Sequence, residues 1–288
     1  MAAAQSLDLG VSALVLLAAL IHAVWNAMVK VQGDRLVGMV IMHGAGTLAS
    51  GLIIIAFSVA PPPLAAWPYL VASVIVHTGY YFGLIKAYQY GDLSQVYPIM
   101  RGTAPALVAI GAYLTVGEAT SWQSGIGLLL VSGGIWSLAF GRAAAPDRRA
   151  VIAAFATAAT IGTYSVIDGI GGRVAGNAHS YALWMFFFEV FPIGAYALWR
   201  YGTEDFAARA RGVWRLAAPG GLLGIASYWI VIWAMSQAPL GLVVALRETS
   251  VIIAALIGAF LFRETFGPRR IAAAAVVAAG VVLIKLGG

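Results

Sequence analysis

Apolar residues run along this chain in blocks, and the polar residues fall between the blocks. A helix that crosses a bilayer needs about 20 mainly apolar residues. The pattern predicts ten such spans, at 9–29, 37–60, 67–87, 93–116, 121–140, 150–171, 178–200, 213–236, 239–262 and 268–287. The breaks carry turn and charge signals: QGD at 32–34, PPP at 61–63, YGD at 90–92, GE at 117–118, APDRR at 145–149, GN at 176–177, TED at 203–205, AP at 238–239 and FGP at 266–268. The longest hydrophilic segment, about 200–215, is too short to fold as a domain of its own. The expected class is therefore an all-α integral membrane protein with ten transmembrane helices.

Composition agrees. Charged residues make up 10% of the chain and apolar residues 61%, with a mean hydropathy of +0.90. A soluble domain carries about 25% charged residues, enough to cover a water-facing surface. This chain cannot do so. No cleavable signal is evident, because the first apolar run is too long for a signal h-region and lacks an A-x-A site. There is no cysteine, which excludes disulfides, thiol nucleophiles and thiolate metal sites. The net charge of +6 sits in short loops between apolar runs, a membrane pattern that does not call for nucleic acid. Of the 17 Lys and Arg, 13 lie in the loops that follow odd-numbered spans, or at the adjoining span ends. Only Arg173 and Lys285 lie on the other side, and Arg101 and Arg247 lie within spans. The positive-inside rule then places both termini outside the cytoplasm.

The chain also repeats itself. At a shift of 146, Arg101 falls on Arg247, Thr103 on Thr249, Glu118 on Glu264 and Gly134 on Gly280. At a shift of 139, Trp25 falls on Tyr164, Asn26 on Ser165 and Gly33 on Gly172. At a shift of 147, Tyr81 falls on Tyr228 and Ala87 on Ala234. The order is the same in both halves, so the expected units are 1–145 and 146–288. Five spans per half is an odd number, which inverts the second half. Inverted repeats around a midplane site are a transporter architecture.

Each half ends in an apolar span, a short turn bearing glutamate (GE at 117–118, RE at 263–264) and a small-residue final span. In this the whole chain resembles the drug/metabolite transporter superfamily, EamA type. The resemblance implies ten helices around a central cavity, with the fifth and tenth peripheral. It implies a bacterial-type inner membrane and export of amino acids or related small metabolites by alternating access, with a monomer as the working unit and no cofactor. Its better-known members have cytoplasmic termini, against the loop charges here. Small multidrug pumps of the superfamily depend on a glutamate in their first span. This chain has no acid there, which points to exchange or facilitated movement without obligatory proton antiport.

Polar groups are costly in the bilayer core, about 2.5–3.5 kcal/mol for a central arginine on insertion scales, so those within spans should face a cavity or one another. The candidates are Trp25 and Asn26 in span one, His77, Tyr80 and Tyr81 in span three, and Tyr97 and Arg101 in span four. Tyr164 in span six, Tyr228 in span eight, and Arg247 and Glu248 in span nine complete the set. Pro98 and Pro105 flank Arg101 and free backbone carbonyls, so they are hinge or gate candidates. A guanidinium forks onto a carboxylate, and freed carbonyls accept from an ammonium, a combination that suits an amino acid, neutral and aromatic ones among others. Alternatively the two arginines clamp the halves by pairing with Glu248, Glu189 or carbonyls. Sugar phosphates and nucleotide sugars are a second anionic substrate class. His22, His43 and His77 could carry protons or simply hydrogen-bond between helices. His22, His77 and His179 do not have metal-ligand spacing. No phosphate loop, GxSG serine or HExxH motif suggests an ATP site or an intramembrane enzyme.

The charge bias makes a testable statement about topology. A reporter fused after Gly288 should be active if it is of the periplasmic type and dark if it needs the cytoplasm to fold. Bright cytoplasmic-type fluorescence from that fusion would refute the orientation.

Overall fold

A computed structural model of the chain describes residues 8–30, 34–91, 93–139, 147–261 and 267–287. All regular elements among the described residues are helical. In order they are α1 (Leu9–Lys30), α2 (Arg35–Ala56), a 3-10 turn (Leu64–Ala66), α3 (Trp67–Tyr90), α4 (Leu93–Val116) and α5 (Trp122–Ser137). There follow α6 (Arg148–Val174), α7 (Ala178–Gln237), α8 (Leu240–Arg247), α9 (Ser250–Leu261) and α10 (Pro268–Leu286). Six helical stretches among the described residues are long and apolar enough to cross a membrane. The Arg263–Glu264 turn, together with Gly33 and Arg142, lies outside the described residues.

The breaks read from the sequence become caps. Asp34, Ser121, Asp147 and Asn177 stand before α2, α5, α6 and α7, and each side chain accepts from a backbone N–H of the first turn. Such caps satisfy donors that the helix cannot. After α4 and α6 the chain passes through Gly117 and Gly176, both at φ 67°, the left-handed stop that glycine takes without a Cβ penalty.

The structure differs from the sequence reading in two places. Residues 200–215, expected as a loop, are helical apart from a kink, and α7 is 60 residues long. At 1.5 Å per residue that is about three times the thickness of a bilayer core, so it cannot be one straight span. The kink is at Gly202, at φ 71° and ψ 172°. Beyond it the sequence TEDFAARAR is rich in helix formers and closes an Asp205–Arg209 pair at 3.0 Å, one helical turn apart. The second difference is span nine. It splits into α8 and α9 around Glu248 and Thr249, where the Thr249 N–H bonds back three residues to Leu246 at 3.2 Å. That turn sits beside the buried Arg247, and it turns the Glu248 side chain inward.

Helix α2 packs along α7, α3 along α6, α1 against α7, α8 and α9, and α4 against α5, α6 and α8. The outward faces are apolar: Leu52, Ile55, Leu114 and Trp199 are among the most exposed large side chains. In water such a surface would be unstable, and in lipid it costs nothing. Trp122, Trp199 and Trp214 lie exposed as expected of a rim at the membrane interface.

Helices α5 and α10 pack on each other through Gly127 and Gly280. A Cβ on either glycine would lie 2.6 Å from the other's carbonyl oxygen. Here the repeat signal Gly134/Gly280 has a packing reason, since small residues let two backbones approach in a membrane. Gly280→Val should therefore destabilise the protein by about 1–3 kcal/mol, the usual range for overpacking, read as a lower unfolding midpoint in detergent. An unchanged midpoint would show that the α5–α10 contact can open freely.

Candidate functional site

Arg101 faces inward from α4 and is 3% exposed, while Arg247 ends α8 and is 2% exposed. Both meet the carboxylate of Glu248, which is wholly buried. Arg101 Nη1 donates to Glu248 Oε1 at 3.3 Å, and Arg101 Nε lies 3.2 Å from Oε2. Arg247 Nη2 donates to Oε1 at 2.7 Å. One carboxylate therefore serves two guanidiniums. The Nε–H of Arg247 is buried with no hydrogen-bond partner among the described residues.

Helix α1 closes the near side. Arg101 Nη2 donates to His22 Nε2, a nitrogen that must then be unprotonated to accept. Asn26 Nδ2 donates to the His22 carbonyl at 3.0 Å and to the Tyr97 hydroxyl at 3.2 Å. The Tyr97 ring lies under the Arg101 guanidinium, 5.5 Å from its centroid. Trp25 sets its edge against His22 at 4.9 Å, and its indole N–H, like Arg247 Nε, is buried without a partner among the described residues. Of the two hinge candidates, Pro98 and Pro105, both lie inside α4, which remains helical through them. Pro105 leaves the carbonyl of Arg101 without its helical donor.

A second buried polar cluster adjoins the first. Asp168 of α6 is fully buried and accepts from Tyr228 at 2.6 Å and from Tyr181 at 3.0 Å. Glu189 of α7 accepts from Tyr81 at 3.0 Å, with His43 Nδ1 at 3.4 Å and His77 Nδ1 at 3.7 Å. The His77 ring stacks on Tyr164 at 3.9 Å and meets the edge of Tyr228 at 5.7 Å. Tyr80 stands edge-on to Tyr81 and Tyr164. Tyr228 joins the clusters: its hydroxyl is on Asp168 and its ring lies 5.8 Å from the Arg247 guanidinium.

The eleven residues singled out from the sequence thus converge on one polar core built by α1, α3, α4, α6, α7 and α8. They do so as closely packed partners. A cavity of about 490 Å³ opens elsewhere, where the C-terminal end of α6 meets both ends of α7, lined by Arg173, Asn177, His179 and Trp233. Sequence reasoning offered Glu189 as a possible arginine partner and His22 and His43 as possible proton carriers or helix-to-helix hydrogen bonds, but did not place them, Asp168 or Tyr181 among the site residues. The Tyr164–Asp168 spacing of one helical turn was the available signal for Asp168. The partners of Glu189 come from α2 and α3, and no local pattern announces them. Among the described residues, no group of His, Asp and Glu could hold a metal ion.

The repeat glutamate of the first half has a structural task. Glu118 Oε1 accepts from Arg173 Nη1 at 2.5 Å, and its Oε2 accepts from the Leu240 N–H at 2.8 Å. Arg173 also donates to the Met235 and Ala238 carbonyls, at 2.9 Å each. The GE turn therefore staples α6 to the chain entering α8.

A crystal structure of another protein superposes on the chain with a TM-score of 0.71, covering 96% of this chain and 95% of the other, at 19% sequence identity. At that identity the likeness concerns the fold alone. Among curated proteins none matches significantly in sequence. A family profile, that of the EamA-like transporter family, matches residues 148–286. This matched part supplies Tyr164, Asp168, Tyr181, Glu189, Tyr228, Arg247 and Glu248 of the polar core, including all three of its carboxylates. The match over this part, with six described helical stretches long and apolar enough to cross a membrane, is consistent with the drug/metabolite transporter superfamily.

Charge bookkeeping in the first cluster gives an ordering of variants. Removing Glu248 leaves two buried guanidiniums with no counter-charge, whereas removing Arg247 leaves one ion pair. Breaking a buried pair costs about 3–5 kcal/mol, chiefly through the charge left behind. Glu248→Gln should therefore lower the unfolding midpoint more than Arg247→Leu does. The reverse order would show that Glu248 is not their shared counter-ion.

Proposed function

We propose that this chain is a carrier that exports amino acids, neutral and aromatic ones among others, or related small metabolites across a bacterial-type inner membrane. In this reading it works as a monomer of ten spans, with 1–145 and 146–288 as inverted halves that rock about a midplane site. The EamA-like match at 148–286 supports the division, since it begins and ends within two residues of the proposed second half. Reciprocal packing supports a twofold relation between the halves, and an odd number of spans in each would make it an inverted one. Helix α3 lies on α6, and α1 meets the second part of α7, where Ser227 Oγ donates to the Ala18 carbonyl at 2.8 Å, so span three pairs with span six and span eight with span one.

The observation that carries the substrate class is the local surplus of positive charge around Glu248: two guanidiniums on one carboxylate, with Arg247 Nε without a partner among the described residues. A single carboxylate from a substrate would balance that surplus and supply the missing acceptor. A planar guanidinium grips a carboxylate by two parallel bonds, a geometry an ammonium cannot offer. Aromatic walls from Tyr97, Tyr164, Tyr228 and Trp25 would receive the rest of an aromatic or apolar side chain. Tyr80, Tyr81 and His77 would form the far wall, and Pro98 and Pro105 would give α4 the compliance to open. A carrier of sugar phosphates or nucleotide sugars is the second reading. It needs positive charge as well, but a dianion exceeds the surplus of one.

Counterflow into proteoliposomes, screened over the common amino acids, tests the reading directly. Binding of an amino acid and of its amide then tests the site. Wild-type protein should reject the amide. Arg101→Lys should weaken amino-acid binding by about 1.5–3 kcal/mol, the worth of a charged hydrogen bond, roughly 10- to 100-fold. Equal binding of acid and amide by wild type would remove the carboxylate from the account. Discrimination that shrinks only in an Arg247 variant would move the anchor to the second half.

A further inference from the structure

The second polar cluster has a charge problem of its own. The described buried set holds two arginines, Arg101 and Arg247, and three carboxylates, those of Glu248, Glu189 and Asp168. Glu248 is matched. Asp168 receives two tyrosine hydroxyls, which are neutral donors. Glu189 receives Tyr81 and stands between two imidazoles, His43 from α2 and His77 from α3. A buried carboxylate without a nearby cation is strongly disfavoured, and a proton is the smallest cation that can balance it. Both imidazoles are placed to hold that proton, with Ser73 as a hydrogen-bond partner of His77 at 3.1 Å.

We propose that Glu189, bracketed by His43 and His77, is a proton-binding site, and that its proton moves inward as substrate moves outward. The claim rests on the carrier reading above and adds an energy source to it. It reverses the expectation drawn from the acid-free first span, since the acid stands instead on α7. One proton is taken up by the His43–Glu189–His77 group from one side and released to water on the other, with no covalent change.

The groups that face Glu189 connect it to the arginines. From α2 comes His43, and from α3 come His77 and Tyr81. Across His77 lie Tyr164 and Asp168 of α6 and Tyr228 of α7. Tyr228 then contacts Arg247, whose partner is Glu248, whose other partner is Arg101 on His22 of α1. A change of charge at Glu189 is thus separated from Arg247 by two packed side chains, His77 and Tyr228. That spacing allows each site to bias the other without sharing a ligand.

The test uses full-length protein in proteoliposomes with the membrane potential clamped at zero. An amino acid that shows counterflow is placed on both sides, and one pH unit of difference is imposed. At one proton per substrate, wild type should build an about tenfold substrate gradient directed against the proton, because one pH unit and one decade of concentration are the same free energy. Glu189→Gln should lose this accumulation while retaining counterflow, and His43→Gln, a second variant in case the first folds poorly, should reduce it. Counterflow in wild type with no response to the pH difference would overturn the proton site and leave the carrier reading standing. Accumulation that persists undiminished in both variants would also overturn it. Failure of wild type to show counterflow with any amino acid would strike the carrier reading itself.

Discussion

The carboxylate of Glu248 is the point on which the polar interior turns. Two guanidiniums have been brought out of water onto it, one from each half of the chain. In a low-dielectric interior each charge would be very costly alone, and the shared anion makes both tolerable. It also ties α4 to the α8–α9 turn, while His22 ties α1 to the same group. Three helices distant in sequence are held by one ion cluster. The halves are alike in their arginines and unlike in their acids, because the position 146 residues before Glu248 is Gly102. A side chain at Gly102 would run into Trp136. The first half therefore has no room for a second glutamate, and the surplus positive charge follows from that asymmetry.

The tyrosines explain how the arginine cluster and the acid cluster coexist. Opposite charges placed in direct contact would collapse into one neutral network and leave nothing to bind a ligand. Tyr164 and Tyr228 stand between them, offering a ring to Arg247 or His77 and, in Tyr228, a hydroxyl to Asp168. Aromatic faces stabilise cations without neutralising them, and a phenol donates to a carboxylate without carrying charge. The interior stays electrically divided, positive on the α4–α8 side and negative on the α3–α7 side.

Around this core the fold relies on close approach more than on large apolar side chains. Lipid is as apolar as leucine, so burial alone gives helices little reason to associate. The Gly127–Gly280 contact, the Glu118–Arg173 staple and the capped helix starts supply what burial does not.

The sequence by itself determined that the chain is built of membrane-length apolar helices, where most of the breaks between them fall, and many of the polar residues found inside. Each of these follows from local rules: block hydropathy, capping residues, and the penalty on polar groups in lipid. Arg101, Arg247, Glu248 and the tyrosine stripes were legible because a polar residue in an apolar run stands out one at a time. Helical continuity through 203–215 was not legible, since its charges signal water and say nothing about backbone shape. Only the tertiary structure decided that Glu248 would serve both arginines, that Asp168 would be sealed beneath Tyr181 and Tyr228, and that Glu189 would meet His43 and His77. Apart from the adjacent Arg247 and Glu248, these pairings join residues 13 to 147 positions apart in the chain. An ion pair depends on distance through space, and hydropathy along a sequence carries no such distance.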